Sequence, residues 1–241
     1  MVQPTVHPNV SARFRPGILF LPVWGLGATQ CGADGEGVGS VKKAFRGLGV
    51  TDDQNQERHP DDFYGSADEG LATKALMVWM LPKLRPEATF WDPACGSGNI
   101  VRAVRETTQR PCAGTDLYDR EWEGAATGID FLKTKPGAGH GTTLISNPPF
   151  QLAKEFILVA HAVGPECIAF LLKATYFHAS KRLELFQAYR PRYILPLTWR
   201  VDFTGQGSPV MECSWFVWLP AHKLGGEELC EYIPLRRLTD E

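Results

Sequence analysis

A glycine turn between an apolar run and a helical run constrains the fold of this chain more than any other stretch. The turn spans residues 92–98 and reads D-P-A-C-G-S-G; residues 88–91 before it are apolar, and residues 99–110 after it have helical character. Strand, glycine turn and helix in this order bring the backbone close to a nucleotide-like ligand at the carboxyl end of a strand. Glycine also allows positive φ and has no Cβ to obstruct the ligand. An ordinary βα turn without a ligand is the alternative interpretation.

A second informative stretch, residues 144–150, reads L-I-S-N-P-P-F. Its apolar beginning predicts a strand that ends at Asn147. The two prolines fix the backbone and present carbonyl oxygens without competing N–H donors. The stretch therefore combines two hydrogen-bond acceptors, the Asn147 side-chain oxygen and the Pro148 carbonyl, with the aromatic ring of Phe150.

Together, the two stretches resemble motifs I and IV of the S-adenosylmethionine-dependent amino-methyltransferases, which modify adenine N6 or cytosine N4 in DNA. The resemblance extends over residues 60–220, with motifs in the order X, I, IV, VIII of the γ arrangement. It implies a Rossmann-like α/β methyltransferase fold: a mostly parallel seven-stranded sheet, an antiparallel terminal hairpin and helices on both faces. The implied cofactor is S-adenosylmethionine, and the small size resembles phage- and prophage-borne adenine methyltransferases.

The resemblance implies that the cofactor lies on the glycine turn and on the ends of the next strands. Asp116 would accept hydrogen bonds from the ribose hydroxyls, a helix N-cap being the alternative; Asp130 and Phe131 stand where the family reads the cofactor adenine. Tyr64 keeps the aromatic residue of motif X, although the usual proline after it is missing. The candidate cofactor-binding residues are Tyr64, Asp92, Pro93, Ala94, Cys95, Gly96, Gly98, Asp116, Asp130, Phe131 and Asn147.

The implied chemistry is methyl transfer to an amino nitrogen, which is a poor nucleophile because its lone pair is delocalised into the base. Two acceptors around the NH2 group, from Asn147 and Pro148, would favour a more tetrahedral and more reactive nitrogen. Phe150 would stack on a base flipped out of the helix. Asp92 would face the cationic end of the cofactor, whereas Cys95 belongs to the glycine turn and is no nucleophile, and no metal site is visible. The candidate catalytic residues are Asn147, Pro148, Pro149 and Phe150.

Two loops supply further candidates for substrate binding. Residues 200–209 resemble motif VIII, which helps to hold the extruded base. The candidate substrate-binding residues are Phe150, Lys181, Trp199, Arg200 and Phe203. Core packing is the alternative role for Trp199, and capping of the following helix is the alternative for the segment around Lys181.

The domain organisation is predicted to be simple. Residues 1–40 are expected to form a poorly ordered N-terminal extension, and residues 41–241 a single methyltransferase domain without a separate target-recognition domain. A signal peptide is the alternative for the extension, because two arginines precede the apolar run at residues 17–24. A third interpretation is that the native chain begins near Val41.

Composition limits the classes of function. The net charge is −2, so a DNA-binding surface must be local. The six cysteines form no C-x-x-C pair, which indicates the reduced thiols of a cytoplasmic protein. No apolar run reaches the roughly 18–20 residues of a membrane-spanning helix, so no membrane contact is expected.

The sequence thus predicts an enzyme that methylates adenine N6 in DNA, with DNA as its partner. The alternatives are an N4-cytosine DNA methyltransferase, an rRNA guanine-N2 or release-factor glutamine methyltransferase, and a non-catalytic nucleic-acid-binding relic of the fold. Because few residues follow the last predicted strand, site recognition is expected from short loops, from a specificity partner or from a homo-oligomer.

Overall fold

The computed structural model describes residues 67–203, 207, 209, 211–219 and 230–238. All of them lie in the compact unit that spans residues 55–241. The predicted extension, residues 1–40, the domain start at residue 41 and the candidate Tyr64 lie outside the described residues. Among the described residues, no helix has the length and apolar content that crossing a membrane requires.

The centre of the structure is one mixed sheet of eight strands in the order β3-β2-β1-β4-β5-β7-β6-β8. Neighbouring strands are parallel except around β7, which runs antiparallel to both β5 and β6. The strands are β1 (Thr89–Asp92), β2 (Cys112–Thr115), β3 (Ala125–Ala126), β4 (Thr142–Ser146), β5 (Cys167–Lys173), β6 (Tyr193–Pro196), β7 (Cys213–Trp218) and β8 (Glu231–Tyr232). The predicted architecture is confirmed, with β3 as a strand beyond the seven expected; two residues are too few to leave a pattern in the sequence.

The strand order reverses at β1, which is the feature that locates a ligand site in such a sheet. From β1 the chain proceeds to β2 and β3 on one side, and then crosses to β4 and β5 on the other. Crevices at the carboxyl ends of strands beside such a switch point are where open α/β sheets bind ligands. The glycine turn follows β1 and Asn147 follows β4, so both predicted motifs reach this crevice.

Helices cover both faces of the sheet. They are α1 (Ala67–Met80), α2 (Asn99–Thr108), α3 (Ala153–Val163) and α4 (Leu183–Ala188). Successive side chains of a strand point to opposite faces, so Ile168, Phe170 and Leu172 of β5 join the core under α3 and α4, whereas Ala169 and Leu171 join the core under α1 and α2. This explains the continuous apolar sequence of β5, since a strand covered on both faces has no solvent side.

Strand β7 connects the sheet to helices on both faces. All six of its residues are buried. The indole Nε1 of Trp215 donates to the Ala72 carbonyl of α1 at 3.1 Å, and the Nε1 of Trp218 donates to the Tyr189 carbonyl at 2.9 Å. Each tryptophan therefore contributes buried apolar area and also satisfies a backbone acceptor.

We expect Trp215→Ala to lower the free energy of unfolding by about 3–5 kcal/mol, the usual cost of deleting a buried tryptophan. The matched control is Tyr232→Ala on β8, where the aromatic residue is 69% exposed and the expected change is within about 0.5 kcal/mol. Denaturant unfolding of both variants measures the difference. Equal effects of the two substitutions would contradict this account of β7.

Candidate functional site

The glycine turn after β1 is fixed by backbone conformation and by a tryptophan. Gly96 and Gly98 have φ of +53° and +82°, in the left-handed region that favours glycine. Gly98 is the N-cap of α2, and its N–H donates to the Cys95 carbonyl at 2.7 Å. A Cβ on Gly98 would lie 2.4 Å from the ring of Trp122. The turn therefore tolerates only glycine at residue 98.

Asp116 ties this turn to the end of β2. Its Oδ2 accepts from the Gly96 N–H at 2.8 Å, and its Oδ1 accepts from the Tyr118 N–H at 2.9 Å. The side chain is only 8% exposed but lines the crevice. Because a carboxylate has about four lone-pair sites, two bonds from the backbone leave acceptor capacity toward the crevice. Its role with the ribose hydroxyls stays a prediction.

Asp92 ties β1 to β4 at the switch point. Its Oδ1 accepts from the Ser146 hydroxyl at 2.7 Å and from the Ala94 N–H at 3.2 Å. Its Oδ2 is buried and has no hydrogen-bond partner among the described residues. Burial raises the pKa of this carboxyl well above its ordinary value, and the carboxylates of Glu69 and Asp116 raise it further. The negative charge of Asp92 is therefore costly unless a positive group lies nearby.

A cleft of about 340 Å³ opens along the carboxyl ends of β1, β2 and β4. This volume is within the usual range for small-molecule sites. The predicted residues that line it are Pro93, Ala94, Cys95, Gly96, Asp116, Asp130, Phe131, Asn147 and Pro149. Asp92 and Gly98 do not line the cleft; they hold the turn that does. The lining residues that sequence reasoning missed are Glu69, Ser97, Leu117, Tyr118, Arg120, Ile129, Leu132, Gln151, Leu152 and Phe156.

Asp130 and Phe131 form one end of the cleft. The Asp130 carboxylate accepts from the Leu132 N–H at 3.0 Å and forms an ion pair of 3.0 Å with Lys133. Phe131 is buried and packs edge-on against Trp91, with ring centroids 5.7 Å apart. Three apolar residues of the cleft are partly exposed and provide a surface for a flat ring: Leu117, Ile129 and Leu152.

Asn147 follows β4 and lines the cleft. Interaction with its amide lowers the pKa of the Glu69 carboxyl, which lines the same cleft. Its Oδ1 is buried and has no hydrogen-bond partner among the described residues. A buried acceptor without a partner costs about 1–3 kcal/mol. At the wall of the cleft this oxygen is available to accept a hydrogen bond from a ligand.

Glu69 is the most informative residue that the sequence did not reveal. Its first-turn position in α1 indicates only a residue that suits the helix N-terminus. In the fold it is 8% exposed, and burial raises the pKa of its carboxyl to about 7 despite hydrogen bonds from Asn147 and Asn99 and the charge of Arg102. No local pattern distinguishes it from an exposed acid.

Burial likewise governs the thiol of Cys95, the residue in the middle of the glycine turn. Desolvation raises its pKa far above the ordinary value, and the carboxylates of Asp92 and Asp116 raise it further. Since the thiolate is the nucleophilic form, this cysteine stays protonated and unreactive. That agrees with its assignment to the turn.

The candidate substrate-binding residues lie in different surroundings. Phe150 contacts the buried Phe203 edge-on, with ring centroids 6.2 Å apart, and the Nζ of Lys173 lies 5.2 Å from the Phe150 ring. Trp199 packs against the core on the α1 side, and Arg200 forms an ion pair of 3.2 Å with Glu212. Lys181 is exposed in the short helix Ser180–Arg182 after β5. Contacts of these residues with a base or a phosphate stay predictions.

We expect Gly98→Ala to destabilise the fold more than Gly141→Ala. Both glycines have φ near +80°, but a Cβ would meet Trp122 at 2.4 Å at residue 98 and nothing within 4 Å at residue 141. Gly141→Ala should therefore cost only backbone strain of about 1–2 kcal/mol, and Gly98→Ala should cost clearly more. Urea unfolding compares them, and equal losses would exclude steric control by Trp122.

Glu69 predicts a pH dependence of stability. Its pKa is about 7 in the fold against an ordinary 4.5, so between these values the folded chain binds more protons than the unfolded chain. The contribution of this group to the free energy of unfolding therefore falls as the pH rises through this window. As the pH rises from 5 to 8, the free energy of unfolding of Glu69→Gln should therefore increase relative to that of the wild type.

Urea unfolding at both pH values measures this change, and the control is Glu106→Gln, whose side chain is 60% exposed. Titration of His161, whose pKa burial lowers to about 4, is common to all variants and cancels in the comparison. A stability difference between wild type and Glu69→Gln that is the same at both pH values would contradict the assignment.

Comparison with known proteins identifies the fold. No family model and no curated protein matches the chain. A type I restriction-modification system methyltransferase subunit from Streptococcus thermophilus is similar in structure, with 12% identity and a TM-score of 0.50 over 71% of this chain and 47% of the subunit. The putative RNA methyltransferase PH1948 from Pyrococcus horikoshii gives 12% identity and a TM-score of 0.50 over 66% and 87%.

A third similar structure is a putative class I S-adenosylmethionine-dependent methyltransferase from Listeria monocytogenes, with 12% identity and a TM-score of 0.48 over 75% of this chain and 68% of that protein. Three of the similar structures are restriction-modification proteins, and the chain covers less than half of the length of each. At such identities the similarity concerns the fold alone. The chain has the Rossmann-like α/β fold of methyltransferases.

Proposed function

We propose that this protein transfers a methyl group from S-adenosylmethionine to the N6 amino group of adenine in DNA. The observation that carries the proposal is the buried, unpartnered Oδ1 of Asn147 at the wall of the cleft. It belongs to the N-P-P-F stretch and lies at the carboxyl end of β4, beside the switch point. The methyltransferase fold supports the same conclusion.

The residues of the cleft fit the cofactor. The turn with Gly96 brings backbone to the surface of the cleft, Asp116 has acceptor capacity for ribose hydroxyls, and Asp130 and Phe131 suit an adenine ring. When bound, S-adenosylmethionine supplies an electrophilic methyl group on a positively charged sulfur. The negative charges of Glu69 and Asp92, which burial makes costly, favour a cation in this cleft.

The N-P-P-F stretch would activate the amino group. The Asn147 Oδ1 and the Pro148 carbonyl oxygen accept its two N–H bonds and favour a nitrogen whose lone pair is localised. Neither proline has an N–H that would compete for these acceptors. In this proposal these residues form no covalent bond to the substrate; they position and polarise it.

The base would enter against Phe150. Phe203 supports this ring edge-on, and Lys173 lies over it, so the ring is held in place before a base arrives. Stacking on a fixed ring offsets part of the few kcal/mol that extrusion of a base costs. Lys181, Trp199 and Arg200 are the candidates for contacts with the flanking nucleotides.

Site recognition is proposed to depend on a specificity partner or on a second copy of the chain. Two of the structures similar in fold are methyltransferase or modification subunits of type I restriction enzymes, so they act within larger assemblies. With a net charge of −2, the chain also has no general attraction for DNA, and a partner would supply affinity as well as sequence choice.

We expect Asn147→Ala to reduce the methyl-transfer rate by roughly 10²–10³-fold, the usual effect of removing one preorganised hydrogen-bonding group. Labelled methyl transfer from S-adenosylmethionine to unmethylated DNA, RNA and protein in parallel measures it, and nucleoside analysis identifies the methylated base. Gln187→Ala, an exposed amide on α4, is the control and should leave the rate unchanged.

Label found only in RNA or protein would contradict DNA as the substrate. Label in N4-methylcytosine would contradict adenine as the target base. An active Asn147→Ala variant would contradict the role of the Asn147 oxygen in methyl transfer, on which the proposal depends. Absence of cofactor binding by the wild-type chain would favour a non-catalytic relic of the fold.

A further inference from the structure

Glu69 is a buried acid of the cleft that the proposed mechanism has not used as a hydrogen-bond acceptor. It lies in the first turn of α1 and lines the cleft next to Asn147. Interactions with two amide side chains, those of Asn147 and Asn99, lower the pKa of its carboxyl against the effect of burial. The three residues come from α1, from the end of β4 and from the start of α2, so they connect the two predicted motifs.

The orientation of the first amide, Asn99, is set by an arginine. The Nη2 of Arg102 donates to the Asn99 Oδ1 at 2.7 Å, while its Nη1 donates to the Ser97 carbonyl at 2.8 Å. Because a guanidinium only donates, the Asn99 oxygen must face Arg102. The Asn99 nitrogen is therefore the end that can face Glu69, in agreement with its lowering of the Glu69 pKa.

The same logic sets the orientation of the second amide, Asn147. The two ends of an amide have nearly the same shape, so donor and acceptor partners select between the two orientations. An ionised carboxylate only accepts, so the Asn147 nitrogen must face Glu69. Its oxygen then faces the other way, where it is buried and has no partner among the described residues.

We propose that Glu69 is a positioning residue, which holds the Asn147 amide with its oxygen directed at the amino group of the substrate. This inference rests on the proposed function, because it assigns a reason to the unpartnered oxygen. A protonated Glu69 would offer an O–H that could bond this oxygen and turn the amide around. The charged groups coupled to Glu69 are Arg102 on α2 and Asp92 on β1.

The first test is methyl transfer by Glu69→Gln, with Glu106→Gln as the matched control on the exposed side of α2. A glutamine brings its own N–H2 toward two donors and no longer selects one orientation of Asn147. Because Glu69 also contributes negative charge to the cleft, kcat is measured at saturating S-adenosylmethionine. We expect it to fall about tenfold or more, with KM for DNA changed little. We also expect kcat of the wild type to fall at low pH as Glu69 becomes protonated, and the variant to lack this fall.

The second test follows the amide directly and needs no activity. The side-chain N–H2 signals of Asn147, assigned by their loss in Asn147→Ala, should shift with a midpoint near pH 7 in the wild type and not in Glu69→Gln. Asp92 is present in both proteins, so any titration due to it remains in the variant.

An unchanged kcat of Glu69→Gln at saturating S-adenosylmethionine, or Asn147 signals that do not respond to pH, would overturn the proposal. A normal pH response of these signals together with no methyl transfer by the wild type would instead refute the proposed function. In that case the Glu69–Asn147 arrangement stands, but its role in positioning a substrate acceptor does not.

Discussion

Three buried carboxylates at one edge of the sheet hold the site together. Asp92 joins β1 to β4 through Ser146, Asp116 joins the glycine turn to the end of β2 through the Gly96 N–H, and Glu69 receives the amides of Asn99 and Asn147. The pairing of β1 with β4 sets the two motifs side by side, and these polar contacts hold the turns and side chains that follow the strands. The geometry of the cleft therefore depends on these polar contacts together with the strand pairing and the apolar cores on both faces.

The three buried acids lower the stability of the fold and preorganise the cleft. The buried acids repel one another, and burial raises the pKa values of Glu69 and Asp92. An apolar residue of similar size at either position would avoid that cost. Buried acids with raised pKa values are typical of functional sites. Here their negative charge lies where a cationic ligand would stabilise it.

The sequence revealed what is local and missed what depends on tertiary structure. The D-P-A-C-G-S-G and N-P-P-F stretches located the turn after β1 and the end of β4, because glycine permits the positive φ of the turn, proline fixes φ, and apolar runs indicate buried strands. Asp68 and Glu69, by contrast, are adjacent acids in one helical turn, but Asp68 lies 3.4 Å from Arg237 whereas Glu69 is buried in the cleft. The roles of Lys181 and Arg200 stay predictions, because they concern contacts with a nucleic acid.

The packing around Trp122 has a consequence for how this chain can diverge. A Cβ at Gly98, Gly114 or Gly124 would come within 2.4, 2.9 and 2.3 Å of the same indole ring. While the tryptophan is present, none of the three glycines is free to vary, and a smaller residue at 122 would leave a void beside the glycine turn. The effect of a substitution at one of these four positions therefore depends on the residues at the other three. Accepted changes should appear in related sequences as correlated sets, not as independent substitutions.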